Sequence, residues 1–110
     1  MGIVTPLPIG RPSQVGFERL ELTRILDLYG RMVAAGHWRD YAIQFDHDAA
    51  VFAAFRRAAE RPEYRIEKRP GARQGAWTLI GEAGQILRRG PELGPVLAPI
   101  ERRLLKVVAN

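Results

Sequence analysis

The side chains of this sequence that could bind an acidic partner are basic residues of its second half, gathered around one predicted hairpin. The stretch YRIEKRPGARQGAWTL, residues 64–79, places four of them beside a loop of proline and glycine. Arginine presents a planar fork that matches the oxygens of phosphate, and each neutralised phosphate adds to salt-dependent binding. We therefore expect a nucleic-acid partner, single-stranded DNA or RNA. The predicted contacts are Arg56, Arg57, Arg65, Lys68, Arg69, Arg73, Arg88 and Arg89.

The charge distribution supports this prediction but also has a plainer explanation. Residues 56–110 hold twelve basic and six acidic side chains, whereas residues 1–55 hold five and six. The alternative is a solvated sheet face, with Glu60, Glu63 and Glu67 as local partners of arginines that protect an edge strand. A GC-rich genome would also enrich arginine over lysine without any functional meaning.

Few residues of the chain are suited to catalysis. There is no cysteine, and the single serine, Ser13, lies in a proline-rich N-terminal segment. His37 and His47 lie in predicted turns, and the glycine-rich loops match no phosphate-binding motif. We therefore expect a protein that is not an enzyme and that uses no cofactor or metal.

A second hypothesis is a protein-interaction or homodimerising module. Its surface would combine the cluster Trp38, Arg39, Asp40 and Tyr41 with the free face or edge of a sheet. Trp38 and Trp77 could instead stack on nucleic-acid bases, although aromatic residues in strand alternation usually belong to the core. A small-molecule sensor ranks third, and because no ligand motif is present we infer no small molecule.

The elements that would position these residues follow from hydrophobic periodicity. Apolar residues recur every three or four positions from about Leu20 to Ala35, which predicts a helix that ends before Gly36. A final helical segment opens after Gly90-Pro91, and Pro99 inside it suggests a kink or a restart.

Between the helices, short alternating runs predict strands. Tyr41 to Phe45, Tyr64 to Arg69, Ala76 to Ile80 and Gln85 to Arg88 alternate with period two or lie between turns. Ala50 to Ala58 fits either a strand or a helix; we favour a strand because its neighbours need a pairing partner. The order of these helices and strands along the chain predicts an α+β fold: an N-terminal helix, an antiparallel meander of four to five strands, and a C-terminal helix.

Length and the N-terminus bear on organisation and location. At 110 residues the chain fits one domain, which we place at residues 17–110 after a flexible tail at residues 1–16. No apolar run is long enough to cross a bilayer, and the N-terminus lacks the basic start of a secretory signal. The sequence predicts a cytoplasmic protein without a membrane partner.

One resemblance goes beyond these patterns. The stretch FERLELTRILDLYGRMVAAGHWRDYAI, Phe17–Ile43, followed by YRIEKRP, Tyr64–Pro70, resembles a family of small bacterial proteins known only as a domain of unknown function. The similarity covers about residues 15–105 and implies a bacterial, cytoplasmic protein. It brings no catalytic residues, and His37 stands where the family pattern would carry an acidic residue.

Overall fold

The fold is a five-stranded antiparallel meander that is preceded by one helix and followed by another in the chain. The computed structural model describes residues 14–57 and 60–109, with the backbone alone at 107–109. In chain order the elements are α1 (Arg19–Ala34), β1 (Asp40–Phe45), β2 (Ala50–Phe55), β3 (Tyr64–Lys68), β4 (Trp77–Gly81), β5 (Ile86–Gly90) and α2 (Leu93–Ala109). All strands pair with their neighbours in the chain, in the order β1-β2-β3-β4-β5. The predicted α+β fold is confirmed.

Helix α1 has clear signals at both ends. At its start the carboxylate of Glu21 accepts a hydrogen bond of 2.8 Å from the backbone N–H of Glu18. This bond satisfies one of the free donors of a helix N-terminus. After its end Gly36 adopts a φ of 83°, the left-handed conformation expected for a glycine that follows a helix. The predicted helix is confirmed.

The ambiguous segment after Asp48 is a strand. Ala50, Phe52 and Ala54 are buried and alternate with half-buried residues, which is the period of a strand and not of a helix. Because β2 pairs with β1 on one side and with β3 on the other, its backbone groups are used on both edges. The preference for a strand is confirmed.

Helix α2 runs through Pro99 without a new start. A proline in a helix interior removes one backbone hydrogen bond and clashes with the preceding turn. Val96, Leu97 and Ile100, which surround it, are at most 1% exposed, and their burial offsets this cost. Of the two alternatives expected at Pro99, the restart is therefore wrong, and the kink stays a prediction.

Both helices pack on the same face of the sheet. One core cluster joins the buried residues of α1 and α2 to alternate residues of the strands, among them Phe52, Ile66 and Leu79. We call this side the covered face. No described element packs on the other side, the uncovered face. Residues directly opposite each other in antiparallel strands share a face, so the strand register assigns each side chain to one of them.

The N-terminal segment that is described joins the sheet. The backbone N–H of Val15 donates to the carbonyl of Asp46 at 2.9 Å, and the side chain of Gln14 donates to the carbonyl of Phe45 at 3.1 Å. Residues 1–13 of the predicted tail lie outside the described residues. The division into a tail and one domain stays a prediction.

Candidate nucleic-acid interface

The uncovered face has a small, apolar centre and a basic end. Two rows of opposed residues cross the sheet: Ala42, Ala53, Arg65, Ile80 and Ile86 form one, and Gln44, Val51, Glu67, Thr78 and Arg89 form the other. Phe55 lies on the same face at the end of β2. Small side chains at the centre leave the surface flat, while the arginines stand on β3 and β5.

A shallow pocket of about 370 Å³ lies where this face meets the β3–β4 loop. Its walls include the guanidinium groups of Arg69, Arg73 and Arg89 and the carboxylate of Glu67. Arg69 is 3.5 Å from that carboxylate, and Arg89 donates to the side-chain oxygen of Gln74. Arg73 has no ion-pair partner among the described residues. In this pocket three cations therefore stand against one carboxylate, while Arg65, on the same face, lines a neighbouring pocket with Glu82.

The β3–β4 loop is held in place by a glycine that contacts β5. Gly75 has a φ of 112°, and a Cβ atom there would lie 2.2 Å from the backbone carbon of Gly90. Only a glycine permits both this conformation and this approach. The loop therefore rests against the end of β5, which brings Gln74 next to Arg89.

Lys68 belongs to the covered face, although the sequence groups it with the other predicted contacts. Its ammonium donates to the carboxylate of Glu21 at 2.7 Å and to the carbonyl of Gly16 at 3.1 Å, and its side chain is 13% exposed. It also lies 5.8 Å from the ring centre of Trp77. Since Lys68 alternates with Glu67 along β3, it points toward the helices, ties α1 to the sheet and is not available to phosphate.

The remaining predicted arginines are dispersed. Arg56 donates to both carboxylate oxygens of Glu82, at 3.1 and 2.9 Å, and Arg57 lies 3.8 Å from Glu60. Arg88 stands opposite the buried Leu79, so it lies on the covered side of edge strand β5. The eight predicted contacts thus do not form one track: Arg65, Arg69, Arg73 and Arg89 share the uncovered face, and the other four lie elsewhere.

The predicted interaction cluster is divided as well. Trp38 is 1% exposed and packs against Tyr29, with ring centres 5.9 Å apart, whereas Arg39, Asp40 and Tyr41 are exposed. Trp77 is 4% exposed and stacks on Phe17. Neither tryptophan ring is therefore a surface for stacking bases, because both fill the core.

A polar network that the sequence did not suggest lies behind Trp38. The carboxylate of Glu63 accepts hydrogen bonds from the indole N–H of Trp38 at 2.8 Å and from Arg103 at 3.0 Å. Burial acts to lower the pKa of Arg103, but its hydrogen bonds with Tyr64 and Glu63 outweigh this, so that the pKa is raised. Sequence patterns gave no signal for this network because Arg103 lies 40 residues from Glu63.

The uncovered face also includes residues that the sequence analysis left out. Arg61 lines a second shallow pocket together with Arg65 and Glu82. Arg61 lies four residues before Arg65 in the sequence, and this proximity was the signal that could have identified it. Nothing in the sequence distinguishes Gln74 from other loop residues, and its role comes from its hydrogen bond with Arg89.

Neither a membrane-spanning helix nor a metal-binding cluster occurs among the described residues. Neither α1 nor α2 combines the length and the apolar character that a membrane crossing requires. Within residues 14–57 and 60–109, no three histidine or acidic side chains come together in a way that could hold a metal ion.

Comparison with known proteins places the chain in a family. No curated protein and no solved structure matches it. A family model matches residues 15–97, which span α1, all five strands and the start of α2, and this agrees with the resemblance seen in the Phe17–Ile43 stretch. The chain belongs to the family described as protein of unknown function (DUF2794).

Proposed function

We propose that this protein is a non-enzymatic nucleic-acid-binding module that takes single-stranded DNA or RNA across its uncovered face. The observation that carries the proposal is the position of Arg69, Arg73 and Arg89 around one pocket of this face against one carboxylate, Glu67, with Arg65 on the same face. Guanidinium groups that are not neutralised by the protein attract phosphates and release counterions from them.

The shape of the face favours a single strand over a duplex. Both described helices pack on the covered face, so neither projects from the arginine-bearing side toward a major groove. A sheet of five adjacent strands offers a broad, flat surface that suits an extended chain. Phe55 is the one aromatic side chain of the face among the described residues. A base stacked on it would contribute about 1–3 kcal/mol.

The test is fluorescence anisotropy with labelled single-stranded DNA, RNA and duplex DNA between about 50 and 200 mM salt. We expect tighter binding of a single-stranded form. In the triple variant Arg69→Gln/Arg73→Gln/Arg89→Gln the affinity should fall. The slope of log affinity against log salt concentration should become smaller in magnitude by about 2, since each lost contact to a single strand removes about 0.7.

A matched control separates a defined surface from a generic positive charge. Arg19→Gln/Arg102→Gln/Lys106→Gln removes the same charge from exposed positions of the two helices. This variant should keep the affinity and the slope of the parent protein. Equal losses in the two triple variants would contradict the proposal, as would a parent protein that binds neither single-stranded form.

A second candidate function, homodimerisation or a protein interaction, is favoured by the outer edge of β5. Ile86 is 52% and Leu87 40% exposed there. An edge strand also has free backbone groups that can pair with another chain. Light scattering after nuclease treatment tests this candidate. A defined dimer that Ile86→Lys disrupts would support it, and a monomer at all concentrations would exclude the homodimer.

A further inference from the structure

A second basic pocket lies away from the uncovered face, between the end of α1 and the chain that follows β2. It has a volume of about 470 Å³, and its walls include His37, Arg39, Arg56, Arg57, Glu60 and Arg103. The fold brings these segments together because the backbone N–H of Arg39 donates to the carbonyl of Phe55 at 2.9 Å, which sets the two arginine-bearing chain segments side by side. None of these residues belongs to the four arginines of the proposed nucleic-acid surface.

The pocket is richer in cations than its own carboxylates can neutralise. Four guanidinium groups share the wall with one carboxylate, Glu60. Two of the four are bonded to carboxylates outside the wall: Arg56 to Glu82, at 2.9 and 3.1 Å, and Arg103 to Glu63, at 3.0 Å. The contacts of Arg57 with Glu60, at 3.8 Å, and of Arg56 with Glu63, at 3.9 Å, are too long for hydrogen bonds. Arg39 has no ion-pair partner among the described residues. Each guanidinium carries five N–H donors, so Arg39 and Arg57 in particular offer donors to an anion.

His37 adds a donor of a defined kind. Its Nδ1 lies 3.3 Å from a terminal nitrogen of Arg103. Because arginine can only donate, Nδ1 must accept this hydrogen bond, and the proton of the neutral ring is then on Nε2. That Nε2 atom is buried and has no hydrogen-bond partner within the described part of the chain. A buried donor without an acceptor is uncommon in a native protein, and His37 lines the same pocket as the four arginines.

We propose that this pocket binds a phosphate monoester. Arginine pairs with phosphate oxygens through two parallel hydrogen bonds, and the N–H of His37 would supply a further donor. The volume lies within the range of about 300–1,000 Å³ that small-molecule sites occupy. The phosphate belongs either to a small phosphorylated molecule or to the 5′ end of a nucleic-acid strand, since both carry the same terminal group.

The experiment is an NMR titration of the ¹⁵N-labelled protein with inorganic phosphate, with sodium chloride at matched ionic strength as the reference. We expect saturable shifts at His37, Arg39 and Arg57 with phosphate alone, and a hydrogen-bonded Nε2–H signal of His37. Shifts that chloride reproduces, or that fall on Arg69, Arg73 and Arg89 instead, would overturn the proposal.

Variants test which groups hold the anion. Arg39→Gln/Arg57→Gln spares the arginines bonded to Glu63 and Glu82, and it should weaken phosphate binding about tenfold or more, because each hydrogen bond to a charged group is worth about that factor. His37→Phe should also weaken it. Arg73→Gln/Arg89→Gln, the matched control on the uncovered face, should leave phosphate affinity unchanged. Equal affinities in all variants would overturn the assignment.

Two further arms identify the source of the phosphate. Adenosine monophosphate is compared with adenosine, and a 5′-phosphorylated oligonucleotide with its unphosphorylated form. If only adenosine monophosphate binds more tightly than its unphosphorylated counterpart, the ligand is a small molecule. If the 5′-phosphorylated oligonucleotide also binds more tightly than its counterpart, the pocket accepts a strand end as well. No preference in either pair would overturn the proposal. The outcome is independent of the anisotropy test, which uses internal phosphates and other arginines.

Discussion

Lys68 and Arg69 are neighbours in the sequence, yet they lie on opposite faces of the sheet and serve different ends. Lys68 is 13% exposed and is fully engaged by Glu21 and the carbonyl of Gly16. Arg69 is 47% exposed, and its ion pair is a 3.5 Å contact with Glu67. Adjacent basic residues are thus equivalent in composition but not in availability. On the covered face a cation stabilises the fold, and on the uncovered face it remains open to a partner.

Substitutions of the two phenylalanines of β2 test which face of the sheet each of them lies on, and they should change stability the most. Phe52 is 0% exposed in the core, whereas Phe55 lies half-buried on the uncovered face. Phe52→Ala should lower the free energy of unfolding by about 4 kcal/mol, because a large core cavity forms. Phe55→Ala should cost about 1 kcal/mol or less. Urea unfolding followed by circular dichroism measures both, and similar losses would contradict the assignment.

The next effect concerns the loop that supports the uncovered face. Gly75→Ala should lower the free energy of unfolding by about 3 kcal/mol, because the new Cβ would overlap the backbone of Gly90 and the residue would keep a strained φ. Gly71→Ala in the same loop is the control, since its Cβ would have no atom within 4 Å. Thermal unfolding checks the pair. A Gly75→Ala protein as stable as the control would show that the loop does not rest on β5.

A smaller effect is expected from the cations themselves. Lys68→Met should destabilise the protein by about 2 kcal/mol, because the carboxylate of Glu21 would lose its cationic partner in a largely buried position and keep its hydrogen bond from the N–H of Glu18. Arg65→Met on the uncovered face of the same strand should change stability by no more than about 0.5 kcal/mol. In the anisotropy assay the order should reverse, with the larger loss of nucleic-acid affinity in Arg65→Met. The same order in both assays would count against the comparison.

The smallest effect is a pH dependence that arises from Tyr29 of α1. Burial, then the charge of Asp40, then Tyr41 raise the pKa of Tyr29. Since the folded pKa exceeds the unfolded one, the unfolded chain loses this proton first. The contribution of Tyr29 is therefore complete below about pH 10 and is lost as the pH rises through its folded pKa. Tyr29→Phe should remove this part of the alkaline loss of stability, as measured by urea unfolding between about pH 9 and 11. Parallel pH profiles of the two proteins would argue against it.

The elements of this fold could be predicted because their signals are local. The apolar repeat of α1, the glycine after it and the alternation along the strands depend on neighbours a few residues apart. Even the strand Ala50–Phe55, within the ambiguous segment Ala50–Ala58, followed from the need for a pairing partner. The restart expected at Pro99 failed because the burial of Val96, Leu97 and Ile100, a tertiary effect, outweighed a local rule.

The sequence alone thus determined the order of helices and strands and the excess of basic charge in the second half. The tertiary structure decided which of those charges are available. It placed Lys68 under the helices and Trp38 in the core, left four arginines on the uncovered face, and joined His37 to Arg103 across 66 residues. The physical reason is that the face of a side chain depends on strand register and on what packs against the sheet. Both are set by contacts between residues far apart in the chain.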